Sequence, residues 1–320
     1  MKNENINDYW AKREADHIKK QVKDDKVLAE RIEERQLKAM DEIQEQIDAF
    51  YGRYATTEGI TIQEAKKRVA KIDMEKYQKK AKKYVEGAHS SVESIAAQSF
   101  TKIANEEMRL YNLTMKVNRL ELLKMNIELE VIAATSDIEH YLFKEFNKYA
   151  IEEYERLAGI LGESLNYSEK HIKTIVGSSF MSAHWSERLW GDSAALRNEL
   201  DTLLHRGIIQ GKNPKVLARD LRKKFNTSVY ESERLMRTEM ARVQQDVFQD
   251  SAKQVGVAQY KYIAEPDACD KCAALDGKVF DFGDAEIGIN AYPIHPHCRC
   301  SQSMYVDRDE WDRKLKERGL

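Results

Sequence analysis

The first 268 residues contain no cysteine, and the first 213 contain no proline. Glycine is nearly as scarce at the start: up to Arg156 only Gly52, Gly59 and Gly87 occur. A stretch so poor in helix breakers, and so rich in Lys, Glu, Ala, Leu and Gln, reads as long helices. Charge of one sign is missing too. Charged residues make up 33% of the chain, yet the formal net charge is −2. The sum argues neither for nor against a polyanionic partner, so any electrostatic case is local. No apolar run reaches the roughly 18 residues that a membrane-spanning helix requires. The opening "MKNENINDYWAKREADHIKK" has no apolar h-region, which argues against a secretory signal. The chain is expected in a reducing cytosol, where persistent disulfides are uncommon.

At 320 residues the length suits about two domains. A change of pattern near Gly159 predicts an elongated helical domain over 1–160 and an α+β module over 161–320. In the first part Ile18, Val22, Leu28, Ile32, Met40, Ile43, Ile47 and Phe50 recur mostly at three- and four-residue steps. They predict one helix of over forty residues, headed by Tyr9 and Trp10, whose seam packs on later helices or on a partner. "YGRYATTEGIT" breaks it, and Thr61 with Glu64 forms a capping box that restarts a helix. From Lys66 to Lys83 nine basic residues face only Asp73 and Glu75. The stripe, with Lys79, Lys80, Lys82 and Lys83 as DNA-contact candidates, reads either as a track for phosphates or as a solvated helix face. Helical spacing resumes from about Ser94, with Met108, Met115 and Met125 as core fillers and His140 as a boundary residue.

After Gly159 the elements shorten. Asn213 as cap and Pro214 at the first helical position start one helix. Ser228 is expected to cap another, ended by Gly256. "VAQYKYIAE", "GKVFDF" and "SQSMYV" read as short strands. The predicted fold is thus mainly α, with a C-terminal α+β module whose small sheet carries a Cys/His cluster.

All four cysteines fall within that module. The spacing is Cys269-x2-Cys272, 22 residues, then His295, Pro296, His297, Cys298, Arg299 and Cys300. A C-x2-C turn sets two thiolates on one loop, as tetrahedral zinc requires, and a second pair closes the site: His295 with Cys298, or Cys298 with Cys300. His297 competes with His295 on spacing alone. Four protein ligands would leave no open coordination position, so such a zinc is structural. Buried or free thiols and disulfides are the other readings. No thioredoxin-like βαβ pattern supports a redox pair. An HNH-like nuclease lacks further His and Asn after Cys300.

The order of these motifs is specific. An Arg-Thr-Glu helix ("RTEMARVQQDVF") precedes "CDKCAALDGKVF" and "YPIHPHCRC", and the block over about 180–307 resembles the phage head morphogenesis family, the Mu F-like minor head proteins of tailed phages. "DYWAKR" followed by long helices is similar to minor head proteins of phages of Gram-positive hosts. The resemblance implies a virion component rather than an enzyme. Such proteins lie inside the head near the portal vertex, after synthesis in the host cytoplasm, and are implicated in DNA packaging or delivery. It implies the portal protein, capsid or scaffolding proteins and further copies of the chain as partners, with weak non-specific DNA contact and no membrane. Carried onto this sequence, the motif comprises Arg237, Thr238, Glu239, Cys269, Cys272, Leu275, Asp276, Gly277, His295, Pro296, Cys298, Arg299 and Cys300, mostly in fold-defining roles. His297 stands where Asn is more usual.

Physical reading adds detail to these positions. Gly277 supplies the positive-φ position of a turn between strands. Arg237 and Glu239 are two apart on a helix and do not face each other, which leaves Arg299 and Glu239 as either a buried pair or unrelated surface charges. A nuclease or ADP-ribosyltransferase toxin on a head-protein scaffold is the alternative function. The transferase lacks a paired glutamate motif on a strand, and a toxin is expected to append a domain after the cysteine module, where this sequence ends in "DRDEWDRKLKERGL".

Overall fold

The computed structural model describes residues 6–55, 119–162, 164–179, 183–209 and 214–307. The capping box at Thr61 and Glu64, the basic stripe with Lys79, Lys80, Lys82 and Lys83, Met108 and Met115 lie outside the described residues. In chain order the elements are α1 (Ile6–Ala55), α2 (Arg119–Leu161), α3 (Glu169–Val176), α4 (Trp185–Ile209) and α5 (Pro214–Val255). There follow β1 (Gln259–Ile263), the short α6 (Asp270–Ala273), β2 (Val279–Asp281), a 3-10 turn (Phe282–Asp284) and β3 (Ser301–Tyr305). Among the described residues no helix is long and apolar enough to cross a membrane.

Two compact units assemble from separate stretches of sequence. The helical unit draws on Glu30–Phe143 and Ala183–Glu233. Its core is made of rows at three- and four-residue steps from four helices. They are Ala39, Ile43 and Ile47 of α1, Leu123, Ile127 and Val131 of α2, Leu196, Leu200 and Leu204 of α4, and Leu217, Leu221 and Phe225 of α5. Rows spaced by four residues form the ridges that interdigitate when helices pack. Truncating one such fully buried leucine to alanine costs about 2–5 kcal/mol.

Polar side chains tie the same helices together. Trp190 Nε1 donates to Glu139 Oε1 at 2.9 Å, Thr135 Oγ1 donates to Ser193 Oγ at 2.8 Å, and Gln36 Nε2 donates to Ser232 Oγ at 2.9 Å. The Arg35 guanidinium lies 4.2 Å from the Tyr141 ring centroid and pairs with Asp137 at 2.8 Å. Met125 belongs to the buried set, and His140 is exposed rather than at the boundary.

Ser228 caps nothing. It lies inside the 42-residue α5, because the buried stripe Leu217, Leu221, Phe225, Val229, Ser232, Met236, Met240, Val243 and Val247 runs through it in unbroken helical phase. The preceding Thr227 returns its hydroxyl to the Lys223 carbonyl at 3.2 Å, a bond that satisfies it within a helix. Gly256 does end α5. At φ 72° its N–H reaches the Lys253 carbonyl at 3.3 Å, and Val257 N–H reaches that of Ala252 at 3.0 Å, a Schellman closure.

The sheet unit draws on Met1–Ala29, Lys144–Ser182 and Arg234–Leu320. Its antiparallel sheet has the order β2-β1-β3, with Tyr260 opposite Phe280 on one side and Met304 on the other. α3 is capped by Ser168, whose hydroxyl accepts from His171 N–H at 3.1 Å. A core of Ala241, Tyr262, Cys272, Tyr292, Ile294, Cys298 and Cys300 joins α5 to the sheet and the cysteine turns. The first turns of α1 meet this unit with a polar stripe: Asn7, Glu14, Gln21 and Asp25 are all buried beside Ile18.

Candidate metal centre

The two cysteine turns are built by local rules. Cys269 takes the extended N-cap position of α6 and Cys272 lies within that single turn of helix. Leu275-Asp276-Gly277-Lys278 then reverses the chain into β2. Lys278 N–H donates to the Leu275 carbonyl at 3.0 Å, Gly277 takes φ 72°, and Asp276 Oδ1 accepts from Ala264 N–H at 2.8 Å. The positive φ explains the glycine, and the aspartate ties the turn to the end of β1.

The second turn spans His295 to Cys298, closed by Cys298 N–H on the His295 carbonyl at 3.1 Å. His297 sits inside it at φ 66°. Asparagine enters this left-handed region more readily than most residues, and histidine is enriched there as well, so the residue at 297 answers a backbone demand. Its N–H donates to Thr238 Oγ1 at 3.2 Å. The geometry separates the two histidines that spacing left open. His295 Nε2 lies 3.2 Å from Cys269 Sγ and 3.3 Å from Cys272 Sγ, while His297 serves the turn.

Cys272 Sγ lies 3.9 Å from Cys298 Sγ, and the ligand atoms of Cys272, Cys298 and Cys300 are all within 4.8 Å of one another, as are those of Cys269, Cys272 and His295. All four cysteines are free, with no disulfide among the described residues. Hydrogen bonds from Cys272 and then Cys300 hold the Cys298 thiol well below its ordinary range, and the same sharing pushes Cys272 and Cys300 up. The Cys272 and Lys271 amides beside the Cys269 sulfur lower its thiol as well. On His295 burial acts downward, but the Pro296 carbonyl and the neighbouring sulfurs outweigh it and raise the imidazole. A cluster with this donor set can hold a metal ion.

Around the cluster, the charged motif residues find partners other than those expected. Arg299 does not pair with Glu239. Its Nε and Nη2 donate to the two carboxylate oxygens of Asp25 on α1, and Arg237 Nε approaches the same carboxylate at 3.4 Å. Glu239 accepts from Arg242 Nε at 2.6 Å. Arg242 also binds Asp246 at 2.7 Å and caps α3 through the carbonyls of Ile175 at 2.8 Å and Val176 at 3.1 Å. The reason is phase: Glu239 and Arg242 are three apart on one helix face, whereas Arg299 is turned toward α1.

Sequence reasoning missed Asp25, Glu14 and Arg242. Ser301 Oγ and Arg156 Nη1 donate to Glu14 at 2.6 and 2.7 Å, and Gln21 Nε2 donates to Gln244 Oε1 at 2.7 Å. The signal was present, since Glu14, Gln21 and Asp25 fall in helical phase with Ile18, but a search for apolar periodicity passes over it.

Residues 198–303 match the profile of a family described as phage Mu protein F like protein. Over this segment the chain is similar to that family. No curated protein and no solved structure matches it. The Mu F-like segment thus takes in the second half of α4, all of α5, the sheet through Ser303 and both cysteine turns. The family points to phage head morphogenesis.

Proposed function

We propose that the protein is a minor head protein of a tailed phage, acting as a structural and interaction component at the portal vertex during head morphogenesis. The single observation that carries this reading is the Mu F-like match over 198–303. The fate of the motif's charged residues supports a structural role over a catalytic one: Arg237 and Arg299 are drawn onto Asp25, and Glu239 onto Arg242. In this reading the protein is made in the host cytoplasm and enters the head beside the portal, where it meets the portal protein, capsid or scaffolding proteins and other copies of itself. It aids DNA packaging or delivery, with the basic residues between Lys66 and Lys83 touching phosphates weakly and without sequence preference. The Cys/His cluster holds one structural Zn2+ that fixes the two turns of the Mu F-like segment.

Head fractionation tests the role. Heads assembled with portal protein should contain the protein in few copies, and heads assembled without portal should lack it. Equal amounts in both would remove the portal vertex from the reading, and absence from both would remove the head.

A further inference from the structure

Five side chains compete for a metal that needs four, and their geometry ranks them. We infer that Cys269, Cys272, His295 and Cys298 ligate the ion, and that Cys300 is an outer thiol against the Cys298 sulfur. This rests on the zinc reading above and names its site. Zinc–sulfur and zinc–nitrogen bonds of about 2.3 and 2.0–2.1 Å imply tetrahedral edges of roughly 3.8 Å between sulfurs and 3.6 Å between sulfur and nitrogen. The Cys272–Cys298 separation is 3.9 Å, and His295 Nε2 stands 3.2 and 3.3 Å from Cys269 and Cys272. These edges are within a few tenths of an ångström of the required ones.

The histidine is oriented for the task. His295 Nδ1 lies 2.7 Å from the Pro296 carbonyl, which makes it the protonated nitrogen and leaves the Nε2 lone pair facing the two sulfurs. A ring fixed in this way by a backbone carbonyl is the usual support of a metal-bound imidazole. Cys298 arrives on the same closed turn as His295. Neither Cys298 nor Cys300 groups with Cys269 and His295; what ranks Cys298 first is its place on the His295 turn and its sulfur edge of tetrahedral length to Cys272. Cys269 is exposed and Cys272 buried, which gives the ion an entry path and a dry inner side.

Full-length protein titrated with Co2+ and back-competed with Zn2+ tests the assignment, with the thiolate-to-cobalt charge-transfer band counting sulfur ligands. The expected wild-type result is one ion per chain with a three-thiolate band. Cys300→Ala should keep that band and lose at most ~10-fold in affinity, as for an outer partner. Cys269→Ala and Cys298→Ala should lose more than the ~100-fold upper range of outer-shell changes. Cys298→His guards against misfolding of the alanine variant: it should still bind, with a two-thiolate band. Loss of binding in Cys300→Ala with retention in Cys298→Ala, or a three-thiolate band in Cys298→His, overturns the ligand set while leaving the zinc reading intact. No metal bound by folded wild-type protein overturns both. Neither outcome touches the head assignment, which is read from particles.

Discussion

Replacing Asp25 with alanine should be among the most damaging single changes in the sheet unit. Asp25 is 1% exposed and Arg299 2% exposed, and the two meet through paired nitrogen–oxygen bonds. Removing the carboxylate leaves a buried guanidinium without its counter-charge, a change that costs about 3–5 kcal/mol. Arg237 adds little to that figure, because its side chain is 31% exposed and can turn to water; Arg237→Ala should cost ~1 kcal/mol or less. With a urea m-value of roughly 2–3 kcal/mol/M, Asp25→Ala should lower the unfolding midpoint by about 1–2.5 M. Pairing Asp25→Leu with Arg299→Met removes both charges together and should recover most of the loss, since buried ion pairs exchange for apolar residues at little cost. A loss below ~1 kcal/mol in Asp25→Ala, or a double variant as unstable as the sum of its singles, would refute the buried pair. The pair also bears on truncation. An α+β module over 161–320 that folded by itself would need nothing from α1, whereas this structure buries Glu14, Gln21 and Asp25 of α1 within the same unit. Deletion of α1 should therefore destabilise the module rather than merely remove a docking arm.

Three further outcomes follow from other sites. Burial pushes Glu139 from 4.5 up to about 9, against the lowering effect of its Trp190 bond. Its stabilising protonated form is fully present below the unfolded value and is lost as pH rises toward the folded one, so about 3 kcal/mol should disappear between pH 4 and 7. Glu139→Gln should abolish that slope in urea unfolding at stepped pH. Buried His17, lowered by desolvation and then by Arg156 to about 4, acts with the opposite sign between 6.5 and 4, so the difference between variant and wild type is the quantity to read. His297→Asn should fold within ~0.5 kcal/mol of wild type, and His297→Val should lose about 1–2 kcal/mol, because φ 66° crowds a β-branched side chain; equal stability of the two would disprove the backbone account. Charge reversal of Lys79, Lys80, Lys82 and Lys83 should weaken low-salt DNA retention and flatten its salt dependence, and unchanged retention would return the stripe to a solvated face.

Local signals were legible wherever the physics is local. The Schellman end at Gly256, the positive φ at Gly277, the start at Pro214 and the three strands all depend on a few neighbouring residues, and each appears where spacing places it. Ser228 misled because a cap-competent residue outweighed a stripe that continues in phase on both sides of it. Partner choice was harder. Glu239 and Arg299 are both buried, as a pairing argument requires, but which opposite charge each meets depends on Asp25, 274 positions away from Arg299. Nothing in periodicity encodes a contact of that range. The crowding of the Cys/His cluster was legible in sequence and is present in the structure, yet ranking its members draws on the φ of His297 and the direction of the His295 ring.

The Cys-Arg-Cys triplet joins these observations. Successive side chains of an extended chain point to opposite sides, and the contacts of the triplet just before β3 follow that alternation. Cys298 and Cys300 therefore face the C-x2-C turn together, while Arg299 between them faces Asp25. Thr238 on α5 holds the same turn through His297 N–H, and Arg237 beside it reaches the same carboxylate. The Arg-Thr-Glu helix and the His-Pro-x-Cys-Arg-Cys turn are thus two sides of one joint: cysteines and His295 inward, both arginines on α1. A change of spacing by one residue in the triplet would swap the sides, setting a guanidinium among the thiols and a thiol against Asp25. The alternation, more than any single ligand, is what the Mu F-like segment must preserve.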